Sequence, residues 1–81
     1  MKVRLLAFAS ARDALGTDEV EIELPSGADL AALREAVLAA HPALGAIWPR
    51  LAIAVDGTVS KAGTELRDGQ EVALLPPVSG G

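Results

Sequence analysis

Three glutamates alternate at Glu19, Glu21 and Glu23. At that spacing they share one face of a strand, where they could hold a cation or a basic partner. Such a face is more often simply hydrated, because antiparallel strands turn their charge outward. One histidine, His41, stands before Pro42 at the end of an apolar run. A cation there complements the negative end of a helix, so a structural role outweighs a catalytic one. A single histidine builds neither a His-based triad nor a metal cluster. Trp48 has no second aromatic nearby for a cage and reads as a lid over the core. There is no cysteine, which removes a thiol nucleophile, a disulfide framework, a thiolate zinc site and an iron–sulfur cluster. Gly16, Gly45, Gly57, Gly63 and Gly69 are scattered, none at a phosphate-binding spacing ahead of a helix. The side chains therefore predict no catalysis, no metal and no bound cofactor.

The remaining chemistry lies at the last residues. Residues 71–75 read as a strand, followed directly by Pro76 and Pro77, then Val78, Ser79, Gly80 and Gly81. Proline lacks a backbone N–H and favours the polyproline conformation, so Pro76 and Pro77 end the ladder and direct a tail away from the body. Residues 76–81 reach about 20 Å when extended, enough to enter another protein's active site. Gly80 and Gly81 carry no Cβ and can pass a narrow channel. They deliver the carboxylate of Gly81, which is a poor electrophile as an anion. ATP converts such a group to an acyl-adenylate, and a nucleophile then attacks the carbonyl. A persulfide sulfur gives a thiocarboxylate; a lysine amine gives an isopeptide. Residue chemistry leaves both outcomes open.

These groups need a body to position them. A chain of 81 residues predicts one domain with a modest core. Residues 2–8 alternate, with Val3, Leu5 and Ala7 on one face and Lys2, Arg4, Leu6 and Phe8 on the other. Ser10 to Leu15 suits a short helical turn stopped by Gly16. Asp18 to Leu24 alternates again, with Val20, Ile22 and Leu24 inward. Asp29 caps a helix whose stripe is Leu30, Leu33, Val37 and Ala40, and His41-Pro42 ends it. Residues 43–50 form a loop. Leu51 to Asp56 is a third strand, with a hairpin signal at Asp56-Gly57. An extended segment near Thr64-Glu65-Leu66, a turn at Asp68-Gly69 and the strand 71–75 complete the order β-β-α-β-β-β. The fold class is α+β: a β-grasp roll with a mixed sheet of about five strands and one main helix on one face. Residues 1–75 make the domain and 76–81 a flexible tail.

One helix covers one sheet face, so the other stays open. If strands 1 and 5 are neighbours, Leu6, Phe8, Ala73 and Leu75 form an apolar patch on it, at the root of the tail. Such a patch marks a protein interface more often than not. The net charge of −4 with no Lys/Arg cluster argues against nucleic acid or an anionic membrane. It favours a protein partner with a basic rim. Neither a membrane span nor a leader is evident, which predicts a cytoplasmic protein.

The stretch Leu66 to Gly81, LRDGQEVALLPPVSGG, resembles the L-x-D-G-D-E-V-A-F-F-P-P-V-S/T-G-G ending of the molybdopterin synthase small subunits, a family of sulfur carriers with a ubiquitin-like fold. Leu5 to Ala9 with Arg12-Asp13 resembles that family's V-L-F-F-A followed by R-E, and Leu51 to Asp56 its A-V-N strand and turn. Three departures stand out. Asp56 replaces Asn, Gln70 replaces an acidic residue, and Leu74-Leu75 replaces an aromatic pair. The resemblance implies that an ATP-dependent, ubiquitin-activating-like adenylyltransferase adenylates Gly81, and that a persulfide sulfur donor protein converts the adenylate to a thiocarboxylate. The tail, Pro76 to Gly81, then enters the large subunit of molybdopterin synthase and gives its sulfur to cyclic pyranopterin monophosphate, building the molybdopterin dithiolene. It also implies a heterotetramer, and no catalysis by this subunit alone. Sulfur carriage for thiamine or tRNA thiolation, and ubiquitin-like protein modification, are the alternatives. Under each of the carrier readings the missing cysteine fits, because no internal thiol competes for the sulfur.

Overall fold

Alternation builds the centre of the protein. The computed structural model describes residues 1–77. In β1 (Lys2–Ala7) the inward residues Val3, Leu5 and Ala7 are buried, while Lys2 and Arg4 are exposed and Leu6 is half-buried. The strand ends one residue earlier than the alternation predicts. Phe8 is still extended, but Ala9 adopts φ 49°, a left-handed setting that costs an alanine roughly 1–2 kcal/mol. The chain turns there into helix α1 (Ala9–Leu15), which buries Ala11 and Leu15 and stops at Gly16 with φ 87°. Strand β2 (Glu19–Glu23) returns antiparallel to β1, with Ile22 inward and the three glutamates exposed.

Helix α2 (Leu30–Ala40) starts where Asp29 predicts it. The Ala32 N–H donates to the Asp29 carboxylate at 2.9 Å. Two further N–H groups of the first turn need partners. Leu30 donates to the Thr64 carbonyl and Ala31 to the Ala62 carbonyl, each at 3.0 Å. This corrects the fourth strand. Thr64 to Leu66 makes only an isolated bridge, Asp29 to Glu65, because its backbone is spent on the helix terminus. The fourth strand is β4 (Thr58–Val59), paired antiparallel with β3 (Ala52–Val55) across the Asp56-Gly57 turn. Asp56 (φ 47°) and Gly57 (φ 85°) are consecutively left-handed, the backbone of a type I′ hairpin.

The helix stripe holds at Leu30, Leu33 and Val37, all buried, but Ala40 is exposed. At His41 the chain leaves the helix for two short 3-10 turns, Pro42–Ala46 and Trp48–Arg50, where a loop was predicted. Leu44 in the first turn is fully buried and extends the core in place of Ala40. His41 caps the end of α2, its N–H donating to the Val37 carbonyl at 2.7 Å.

Strand β5 (Glu71–Leu75) runs parallel to β1 and antiparallel to β3, giving the order β2-β1-β5-β3-β4. This is the β-grasp topology. Val72 and Leu74 face inward and are fully buried with Leu5, Leu33, Leu44 and Leu66. Each such side chain contributes about 1.5–3 kcal/mol by leaving water.

Two departures from the family pattern meet at the start of β5. The Asp56 carboxylate accepts the Glu71 N–H at 3.0 Å and the Gln70 side-chain amide at 3.1 Å. The carbonyl end of that Gln70 amide accepts the Arg67 N–H at 2.7 Å. An acidic residue at 70 could serve Arg67 but would face Asp56 as one acceptor against another. With Asn at 56, the donor would come from the other side. The paired change thus exchanges donor and acceptor and keeps the bond. Asp56→Asn and Gln70→Glu should each cost about 1 kcal/mol singly, and the double variant should return to within about 0.5 kcal/mol of the parent. Urea unfolding of the four proteins measures the coupling; additive costs would show that the two side chains act separately.

Candidate functional site

The open sheet face is built by strand register. Leu6 of β1 lies opposite Ala73 of β5, Ala73 opposite Ala54 of β3, and Ala54 opposite Val59 of β4. A second row runs alongside: Ala52 lies opposite Leu75, and Phe8, one step beyond the Ala7–Leu74 pair, sits at the level of Leu75. Strands lie about 4.8 Å apart, so neighbours within each row are in reach of one another. The four residues predicted for the patch, Leu6, Phe8, Ala73 and Leu75, are therefore brought together. Phe8 is 48% exposed, and Leu6, Ala73 and Leu75 are half-buried without a covering element.

The patch is wider than the sequence analysis expected. Ala52 and Val59, the last 68% exposed, belong to the same face, with Ala54 buried between its neighbours on it. The signal was present in the Asp56-Gly57 turn. A two-residue hairpin there puts Val59 opposite Ala54, whereas a fourth strand at 64–66 leaves Val59 in a loop.

Toward the other end the same face becomes charged. Arg4 lies between Glu71 and Glu21 in register, and Lys2 lies opposite Glu23. Arg4 pairs with Glu71 and, at 3.9 Å, with Glu19; Lys2 pairs with Glu21 at 3.3 Å. Glu19 and Glu21 are thus partners of the strand-1 cations, Glu23 lies opposite Lys2 in register, and all three are exposed, the hydrated face that the alternation predicts. Exposed pairs of this kind add little stability. They do set a boundary, because the apolar rows lie at the end of the sheet where β5 runs into Pro76 and Pro77. Of the predicted tail residues, Val78, Ser79, Gly80 and Gly81 lie outside the described residues.

Trp48 is half-buried against the core, as a lid would be. Among the described residues no group of three His, Asp or Glu side chains could hold a metal ion, and no helix is long and apolar enough to cross a membrane.

A β-grasp body with an apolar open face beside its last strand defines a ubiquitin-like protein, and the family model named ThiS family matches residues 5–81. The chain belongs to the ThiS family. A molybdopterin synthase sulfur carrier subunit from Chlamydomonas reinhardtii is 36% identical over the full length of both proteins. Among solved structures, SAMP1 (small archaeal modifier protein 1) from Haloferax volcanii superposes with a TM-score of 0.91 at 26% identity, covering all of both chains. The protein–protein complex of subunits 1 and 2 of molybdopterin-converting factor from Helicobacter pylori contains a chain that matches with a TM-score of 0.75 at 29% identity, again over all of both chains.

Proposed function

We propose that this protein is the sulfur carrier subunit of a molybdopterin synthase. Residues 1–75 form the docking body and residues 76–81 the tail that carries the sulfur. The observation that carries the proposal is spatial: the strand leading into Pro76-Pro77 and the diglycine end also forms the middle of the apolar rows. A partner seated on Leu6, Phe8, Ala73 and Leu75 would receive the tail at once. The full-length likeness to a molybdopterin synthase sulfur carrier subunit supports the choice of pathway.

The chemistry begins at the Gly81 carboxylate. It attacks the α-phosphorus of ATP on an adenylyltransferase, releasing pyrophosphate. The outer sulfur of a persulfide then attacks the carbonyl carbon and AMP leaves, giving an acyl disulfide; a second thiol attacks the donor's sulfur in that S–S bond, which releases the thiocarboxylate and leaves the donor as a disulfide. On the large subunit that sulfur passes to cyclic pyranopterin monophosphate. The carrier itself supplies no acid, base or metal. It contributes reach, a slim end and an orienting body, which together convert a bimolecular sulfur transfer into a positioned one.

The likeness to a protein modifier favours a second reading, in which the same activated carboxyl is captured by a lysine amine as an isopeptide. Intact mass spectrometry of the protein produced together with an adenylyltransferase and a persulfide donor separates the two. The carrier should gain the mass difference of sulfur over oxygen at Gly81. Adducts on lysines of other proteins with no thiocarboxylate would establish the modifier instead, and an unmodified chain would overturn the carrier proposal.

A further inference from the structure

The chain has two lysines, Lys2 and Lys61, and the strand register sets them at opposite ends of the sheet. Strands β1 and β5 run parallel with Arg4 opposite Glu71, so Lys2 lies at the level of Gly69. That is about 20 Å from Leu75 along the strand direction. The Lys2 ammonium is also engaged, pairing with Glu21 at 3.3 Å. Lys61 lies at the other end. Val59 is opposite Ala54, and the Ser60 N–H donates to the Ile53 carbonyl at 2.8 Å, so Lys61 follows at the level of Ala52. Ala52 in turn is opposite Leu75, the last residue of β5. Lys61 is exposed and has no carboxylate within ion-pair distance among the described residues.

The tail thus begins two strands away from Lys61, a gap of about 10 Å. The Pro76-Pro77 step takes up about 6 Å along the exit direction, and the four residues beyond it reach up to about 14 Å. The diagonal back to the Lys61 backbone is about 12 Å by the same spacings. It lies within that reach even before the four-carbon stem of the lysine is counted. Lys2 lies beyond it, and the Met1 amine, one residue further, donates to the Leu24 carbonyl at 2.8 Å.

We propose that Lys61 is a modification site, at which the activated carboxyl of Gly81 is captured within the same chain. This capture presupposes the activation of Gly81 in the proposed function. It concerns the acyl-adenylate that leaves the adenylyltransferase before sulfur reaches it. The neutral Lys61 amine attacks the Gly81 carbonyl carbon and a C–N bond forms. The C–O bond to the phosphate breaks, AMP leaves with its electron pair, and an amine proton passes to water. The product is a lactam that closes residues 61–81 into a ring. A short linker that spans its gap holds two groups at an effective concentration on the order of mM. Capture in the same chain therefore precedes capture by a second copy present at far lower concentration. The closed chain has no carboxyl left to adenylate, so it is withdrawn from sulfur carriage.

The test incubates the full chain with the adenylyltransferase and ATP, without a sulfur donor, and reads intact mass. A monomer lighter by one water should accumulate, and peptide mapping should join Gly81 to Lys61. Lys61→Arg keeps the charge and removes the nucleophilic amine. It should lower the yield at least about tenfold, because the remaining amines compete only at their bulk concentration. Lys2→Arg should leave the yield unchanged. A parallel reaction with hydroxylamine traps the adenylate as the Gly81 hydroxamate in every variant, and so reports activation independently of Lys61. Hydroxamate without the lighter monomer, a link to Lys2 or to a second copy, or a yield unmoved by Lys61→Arg would overturn the site while the activation stands. Absence of hydroxamate would overturn the activation and the site together.

Discussion

A chain lacking Gly81 is expected to lose sulfur transfer by at least about 100-fold and to keep its fold. Deleting the residue leaves a carboxylate of the same chemical kind on Gly80. What changes is reach, by one Cα–Cα step of about 3.8 Å. Adenylation requires the attacking oxygen close to the α-phosphorus of ATP, near 3–3.5 Å, and a misplacement of about 1 Å can already cost about 100-fold. On the proposed docking, a body held by the apolar rows would not slide forward to compensate. The fold should be indifferent to the deletion, since among the described residues every buried core residue lies between Val3 and Leu74. Intact mass after production with the activating enzyme should therefore show no sulfur gain, while the urea midpoint stays that of the parent. A truncated chain that still gains sulfur at the parental rate would refute the reach mechanism. A truncated chain with a lowered midpoint would show that the tail stabilises the body.

Local signals carried most of the architecture. Val3, Leu5 and Ala7 announce the inner strand β1 by period alone, and Asp29 announces its helix by the cap that it makes. The parallel pairing of β1 with β5 follows from placing the first and last strands together in the middle of a β-grasp sheet. What local pattern could not supply is where a backbone spends its hydrogen bonds. Thr64 to Leu66 looks extended, but the Thr64 carbonyl accepts from Leu30 in the first turn of α2 and the Leu66 N–H donates to the Ala28 carbonyl just before it, contacts more than thirty residues back in the chain. The short strand Thr58–Val59 was hidden for the converse reason, since two residues have no visible period. The Asp56–Gln70 exchange was readable as two separate departures and intelligible only once both were seen in one hydrogen-bonded cluster. Of the site itself, the four patch residues were legible from alternation, whereas Ala52, Ala54 and Val59 depended on the correct hairpin.

Leu75→Asp is expected to weaken binding to the molybdopterin synthase large subunit by at least about 30-fold, or about 2 kcal/mol, the scale of an interface anchor. Leu75 stands between Ala52 and Phe8 in the row nearest Pro76. A partner receiving the tail must cover that position, so the introduced carboxylate would lose its water without gaining a partner. The free protein has less to lose. Leu75 is half-buried on the uncovered face, while the core contacts of β5 belong to Val72 and Leu74. Phe8→Asp should act in the same direction, since the aromatic ring is a large exposed apolar surface on the same row. Val59→Asp should cost less, because Val59 lies on the edge strand, three strands from β1 and far from the tail root. The expected ranking is thus Leu75 and Phe8 above Val59, read by calorimetric titration of the large subunit with each full-length variant. Thermal unfolding of each free variant keeps a folding defect apart from a docking defect. An affinity unchanged by Leu75→Asp in a folded protein would remove the patch from the interface. An effect of Val59→Asp equal to that of Leu75→Asp would instead move the centre of the contact from the root of the tail toward the β3–β4 edge.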